Sequence, residues 1–301
     1  MTKVLYLTAW GRSGTTVMNR LFGEPPGMLA AGELHTMLGW PPPNVLHCGC
    51  GRDTNECPLW SAVSGELYGT RGWDPEEVSA AHRAVTGVAR TRAMLRRPHV
   101  RYLALCEELY AAVASAAGAR LVVDSTKQPS IAAVLASSPT IEAFVVHVVR
   151  DPRAVAFSWQ RRKQRAGGEG RGLMPRFSPL RSSLNWDRWN LAADAVRRKM
   201  GPRAMLLRYE DFVSDPRAAF RAVMELVDED PGVDPFAGDR SVVLTSGHTV
   251  AGNPDRFTAG AVELRRDDEW RNAQPVRDRA LVTALTGPLL RRYGYRLSAG
   301  S

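Results

Sequence analysis

The run Val4-Leu5-Tyr6-Leu7-Thr8 leads into Trp10-Gly11-Arg12-Ser13-Gly14-Thr15-Thr16, and an apolar pattern of helical period follows. A short apolar and β-branched run bounded by glycines reads as a buried strand, and the loop hands it on to a helix. In such a strand–loop–helix unit the backbone N–H groups at the helix N-terminus converge on one point, where the helix dipole favours negative charge. Arg12 adds a cation there, and Thr15 and Thr16 add hydroxyl donors. The loop departs from the pattern G-x-x-x-x-G-K-[ST], because Gly14 is followed by Thr15 where the lysine would stand. The unit is built to hold an anion, without the lysine that serves phosphoryl transfer.

The same alternation continues along the chain. Thr15 to Phe22 reads as helix, and Met28 to Ala31, Leu121 to Asp124, Ala143 to Val149 and Ala204 to Arg208 read as further strands. Helices are expected at Ile131 to Ala136, Ala154 to Gln164, Leu184 to Met200 and Pro216 to Val227. The run at Ala143 to Val149, apolar but for His147, is of the kind buried on both faces of a parallel sheet. The expected fold is therefore α/β, a P-loop-like three-layer arrangement with a central parallel sheet of about five strands and right-handed crossovers. Pro75 to Arg97 and His99 to Ala117 read as helices within a helical insertion, residues 36–118, on the acceptor side. The glycines of Gly167 to Gly172 make 166–183 a candidate lid loop. A loop from Ser246 to Phe257 and helices at Val262 to Arg271 and Val276 to Tyr293 complete what reads as a single domain of 301 residues.

Lys and Arg number 40 against 31 Asp and Glu, a net charge of +9, which points to an anionic partner. The arginines are dispersed through helical segments instead of forming one stripe with interleaved aromatics, so nucleic acid is not the expected partner. No apolar run approaches the roughly 20 residues of a membrane span. The start lacks the layout of a signal peptide, and the cytoplasm is the expected compartment. The Ala and Arg bias fits a GC-rich bacterial genome.

Ligands of open parallel sheets bind outside the carboxyl ends of the strands. The polar clusters fall at such ends: Arg12 to Thr16, Glu33 with His35, Asp124 to Lys127, Arg150 to Arg153, and Tyr209 to Asp211. The loop Gly11 to Thr16 resembles the 5′-phosphosulfate loop of sulfotransferases that use 3′-phosphoadenosine 5′-phosphosulfate (PAPS). Val148-Val149-Arg150-Asp151-Pro152-Arg153-Ala154-Val155-Ala156-Phe157-Ser158 resembles their 3′-phosphate motif, with Arg150 and Ser158 eight residues apart. Leu207 to Phe212 and Gly252 to Phe257 are similar to further segments of that family, whose bacterial members are related to protein-tyrosine and carbohydrate sulfotransferases. The two phosphate motifs stand in family order, about 140 residues apart.

The resemblance implies sulfuryl transfer from PAPS to a hydroxyl of a small-molecule, glycan or lipid acceptor, with adenosine 3′,5′-bisphosphate (PAP) as product. Arg12, Ser13, Gly14, Thr15 and Thr16 would hold the 5′ end, and Arg150, Ser158, Tyr209, Asn253 and Arg256 the 3′ end. Glu33, 21 residues after Arg12, is the expected base. His35 is its rival, since residues two apart on an extended segment face the same side. Lys127 and Arg12 would stabilise charge on the departing group. The transferred group carries less charge than a phosphoryl group, and no metal is required on that ground. The rival readings are a P-loop kinase-like enzyme, with Asp124 available for magnesium, and a nucleotide-binding module without catalysis. For Arg150 the competing role is a strand-end salt bridge with Asp151 or Asp211.

Cys48, Cys50 and Cys57, with His47 beside them, invite a zinc reading, but C-x-C followed by C-x₆-C departs from the C-x₂₋₄-C pairs of structural sites. No metal is assigned; a Cys50–Cys57 disulfide and reduced thiols are the alternatives. Cys106 is expected in the core, and His248 reads as a loop histidine with no task. Trp40, Trp60, Trp73, Trp186 and Trp189 are available to line an acceptor pocket or to pack a core.

Overall fold

The computed structural model describes residues 1–39, 46–161 and 175–298. Its centre is a five-stranded sheet of β1 (Thr2–Thr8), β2 (Met28–Gly32), β3 (Leu121–Lys127), β4 (Ile141–Val149) and β5 (Ala204–Arg208), in the order β2-β3-β1-β4-β5. Every pairing in it is parallel. The fold is thus the α/β arrangement expected, with β1 and its loop flanked by β3 and β4 at the centre of the sheet.

Alternation within β1 explains the three layers. Val4 and Tyr6 face one apolar cluster, Leu5 and Leu7 the other, and all four are fully buried. On the first face pack α3 (Pro58–Ser64), α4 (Pro75–Val85), α6 (Val100–Ala117) and α7 (Pro129–Leu135), through Trp60, Val78, Leu105, Leu109, Val113 and Ile131. On the second lie α1 (Thr15–Phe22), α10 (Tyr209–Ser214) and α11 (Pro216–Leu226), through Met18, Phe22, Phe212, Phe220 and Val223. A third cluster joins α8 (Pro152–Gln160), α9 (Pro179–Met200) and α13 (Val276–Arg292) around Trp186 and Tyr293. The helices of the 36–118 stretch therefore form a layer of the sheet itself, because Leu105, Leu109 and Val113 share a core with Val4 and Val122.

Three expectations are corrected. The helix expected over Pro75 to Arg97 is broken: α4 ends at Val85, Gly87 takes φ +124, and α5 (Thr91–Arg96) begins anew. The helix expected over Val262 to Arg271 is instead a strand, β7 (Gly260–Glu263), antiparallel to β6 (Ser241–Leu244), with helix only in α12 (Trp270–Ala273). Of the candidate lid, 166–174 lies outside the described residues, whereas Pro179 to Ser183 is the first turn of α9, capped by the Ser178 hydroxyl accepting from Arg181 N–H. The short α2 (His35–Gly39) follows β2 directly.

Candidate active site

The loop after β1 is shaped by two left-handed residues, Arg12 at φ +72 and Gly14 at φ +80. Gly14 is required for its space as well, since a Cβ there would lie 2.5 Å from the Tyr209 ring. At Gly11 a Cβ would come within 2.7 Å of Trp159. Gly14 stands at the N-cap of α1 and offers no side chain to it, so the first-turn N–H groups of α1 keep their capacity for an anion. Ser13, buried at 2% exposure, donates its hydroxyl to Trp10 O at 2.7 Å and stiffens the turn. The Arg12 guanidinium lies 4.9 Å over Trp159, and burial pushes its pKa down while Asp255 pulls it up. Thr15 is buried at the start of α1.

Glu33 and Lys127, from the ends of neighbouring strands, form an ion pair between Glu33 Oε1 and Lys127 Nζ. Their side chains are 20% and 16% exposed, enough to be reached from solvent. Lys127 also adopts φ +72, and its carbonyl accepts from Thr8 Oγ1 at 2.9 Å and Trp189 Nε1 at 2.9 Å. A left-handed non-glycine costs about 1–2 kcal/mol and persists only where surrounding contacts over-determine it. Glu33 N–H donates to Val250 O at 3.0 Å. A Cβ on Gly252 would sit 3.3 Å from Glu33 Oε1 and 3.8 Å from Thr16 Oγ1, so carboxylate, hydroxyl and the Gly252 loop meet at one point.

His35 approaches the pair from a different element. β2 ends at Gly32, where φ is +87, and His35 opens α2, so the extended geometry that would point both side chains one way stops short of it. Its ring stacks on His82 with centroids 5.8 Å apart. Burial, with Lys127 nearby, pushes its pKa down to about 4 against the pull of Glu33, and the imidazole is a weak base.

Arg150, at the end of β4, reaches back to the phosphate loop. Its Nη1 donates to Arg12 O at 2.9 Å, its Nη2 to Asp267 Oδ2 at 2.9 Å, and its guanidinium covers the Tyr209 ring at 4.6 Å. The competing partners have other commitments: Asp151 pairs with Arg153 at 2.6 Å, and Asp211 lies beside Arg208. Asp267 is the acid that sequence reasoning missed, since it sits in a segment that reads as helix. Ser158 is buried on α8, next to the Trp159 that covers Gly11. Tyr209 and Asp267 also line a cavity of about 560 Å³ with Arg208, Arg266 and Arg271.

Asn253 and Arg256 are engaged within the chain. Asn253 Nδ2 donates to Asp255 Oδ2 at 2.6 Å, and Arg256 donates to Gly252 O at 3.1 Å and His47 O at 3.3 Å. Arg256, 4% exposed, thus ties the Gly252 loop to the cysteine segment. Trp60, Trp73 and Trp186 are core residues, and Trp40 lies outside the described residues. Trp189 belongs to an aromatic wall beside the loop, 5.0 Å from Trp10.

The site thus combines a glycine-shaped loop after the central strand β1, an acid–lysine pair beside that loop and a second arginine behind it. A model of the sulfotransferase family matches residues 5–230, and the chain belongs to that family. Carbohydrate sulfotransferase 3 of Homo sapiens is 24% identical over 177 residues, 54% of this chain and 36% of that protein, so the chain spans about a third of its length. The sulfotransferase domain of the Synechococcus PCC 7002 olefin synthase superposes with a TM-score of 0.56 at 19% identity, covering 99% of this chain and 96% of that one. The sulfotransferase domain from the curacin biosynthetic pathway gives 0.54 at 15% identity, covering 99% of each chain. The two structural likenesses are likenesses of fold.

Proposed function

We propose that the protein transfers a sulfuryl group from PAPS to a hydroxyl of a small-molecule, glycan or lipid acceptor. The observation that carries the reading is the Glu33–Lys127 ion pair, with Glu33 Oε1 and Thr16 Oγ1 of the β1 loop both beside Gly252. The Arg12 loop and the first turn of α1 bind the 5′ end of the donor. Arg150, Ser158 and Tyr209 bind its 3′-phosphate, for which the planar guanidinium fork suits two-point contact. Glu33 takes the acceptor's hydroxyl proton as the acceptor oxygen forms its bond to sulfur and the bond from sulfur to the phosphate oxygen breaks. Lys127 and Arg12 neutralise the charge that gathers on that oxygen, and PAP departs.

The kinase reading asks for an acid that faces a nucleotide-bound cation, and Asp124 is engaged elsewhere. It is 1% exposed, its Oδ2 accepts from Tyr110 OH at 2.6 Å and its Oδ1 from Thr126 N at 2.6 Å, and burial raises its pKa to about 6. A binding module without catalysis has no use for a solvent-reachable carboxylate–ammonium pair at the anion loop. Incubation with PAPS and a panel of alcohols, phenols, sugars and lipids, read by mass spectrometry, is expected to show a product heavier by one SO₃ group together with PAP. Release of inorganic phosphate from ATP under the same conditions, with no transfer from PAPS, would contradict it.

A further inference from the structure

The sulfurs of Cys48, Cys50 and Cys57 and a ring nitrogen of His248 all lie within 4.8 Å of one another. His248 Nδ1 is 3.6 Å from Cys48 Sγ and 3.2 Å from Cys57 Sγ. Tetrahedral zinc, with bonds of about 2.3 Å to sulfur and 2.0–2.1 Å to nitrogen, holds its ligand atoms about 3.5–3.8 Å apart. Three sulfurs and one imidazole form a common set for structural zinc. A disulfide, by contrast, would use two of the sulfurs and leave the third thiol and the imidazole unexplained.

The local fold brings these groups together by identifiable means. Gly51, at φ +87, donates to Cys48 O at 3.0 Å, and Cys48 N–H donates to Arg52 O at 2.9 Å, which makes a tight knuckle of Cys48 to Arg52. Cys57 N–H donates to Asp53 O at 2.8 Å, which returns the third sulfur to the knuckle. His248 arrives from far along the chain, and its carbonyl is fixed by Trp60 Nε1 at 2.8 Å. His47, the histidine adjacent in sequence, is paired with Asp53 at 2.5 Å. Cys48 and Cys57 are fully buried, and Cys50 and His248 are half-buried.

We propose that Cys48, Cys50, Cys57 and His248 bind one structural zinc ion. The ion joins two segments about 190 residues apart, and closing so long a loop is where a cross-link constrains the unfolded chain most. It also fixes the strand-like stretch after His248. Thr249 O accepts from Gly49 N–H at 2.9 Å, Val250 N–H donates to Ala31 O at 3.0 Å, and Val250 O accepts from Glu33 N–H at 3.0 Å. The metal therefore sits behind the Glu33 backbone as a positioning element and takes no part in the chemistry. Its existence does not depend on the donor being PAPS.

The test is metal analysis of the full chain purified under reducing conditions and dialysed against metal-free buffer. One zinc per chain is expected. After removal of the zinc by a chelator, cobalt(II) should refill the site and give the intense visible absorption of a tetrahedral thiolate complex, a readout that needs no variant. His248→Ala and Cys57→Ser should lose the metal and lower the Tm by roughly 5–10 °C, whereas His248→Cys should retain one zinc. A metal-free chain whose three thiols all alkylate freely while it stays folded by circular dichroism would overturn the proposal. So would a disulfide among Cys48, Cys50 and Cys57, or stoichiometric iron in place of zinc.

Discussion

At the scale of residues, the proposed chemistry rests on the Glu33–Lys127 pair, with the His35 ring stacked on His82 close by. Glu33→Gln keeps the shape and removes the base, and it is expected to lower kcat by about 10²- to 10⁴-fold with PAP affinity within a few-fold of the wild type. Lys127→Ala should likewise reduce turnover far more than affinity; equal losses in initial-rate and calorimetric measurements would reduce it to a binding residue. His35 and His82 supply a pH dependence of stability. Burial pushes both down to about 4, below the ordinary 6.5. Between those values the unfolded chain binds protons that the folded chain refuses, so their contribution is full above about pH 6.5 and is lost as the pH falls towards 4. Asp124, raised to about 6, contributes in the opposite sense over most of this window, up to about pH 6. The double variant His35→Gln/His82→Gln, compared with wild type by Tm from pH 7 to pH 4.5, should therefore show the smaller acid-induced loss. An unchanged difference would contradict the burial assigned to the two rings. The place of Glu33 at the end of β2 was legible because an apolar strand run precedes it, whereas the stacking of His35 on His82 was not, because His82 comes from α4.

At the scale of elements, the site is made where strand ends meet loops. Arg150 is presented by β4 and pinned by Asp267, so on the proposed reading the donor's 3′-phosphate competes with that carboxylate for Nη2. Arg150→Ala is expected to weaken PAP binding about 10- to 100-fold, the range of one to two charge-assisted hydrogen bonds. Asp267→Asn is expected to strengthen it several-fold by removing the competitor, while ADP affinity should respond little to either change. A loss of PAP affinity in Asp267→Asn would show that the acid orients Arg150 instead of occupying it. The strands themselves were readable because runs such as Val145 to Val149 are buried on both faces and apolar but for His147. β7 was not readable, since Ala261 to Glu263 becomes strand through pairing with Ser241 to Val243, a partner some 20 residues away. The break after α4 depends on Gly87, and the helical composition on either side of it concealed the interruption.

At the scale of the whole molecule, one sheet orders five strands so that their carboxyl ends collect the anion loop, the Glu33–Lys127 pair and Arg150. Helices α3 to α7 cover one face and α1, α10 and α11 the other, and among the described residues no helix is long and apolar enough to cross a membrane. Long-range convergence is the part that spacing could not reveal: His248 meets Cys57 across 191 positions, and Asp267 meets Arg150 across 117. The strand–loop–helix unit of β1 and α1, which is local in sequence, was legible because loop and helix follow each other directly. The central claim is that two anion sites read the two ends of one nucleotide. Isothermal titration of the purified chain with PAP, against ADP with magnesium, tests it most directly. The account predicts that PAP binds at least about 10-fold more tightly, by the measure of one charge-assisted contact to the 3′-phosphate. Equal affinity for the two nucleotides would contradict it.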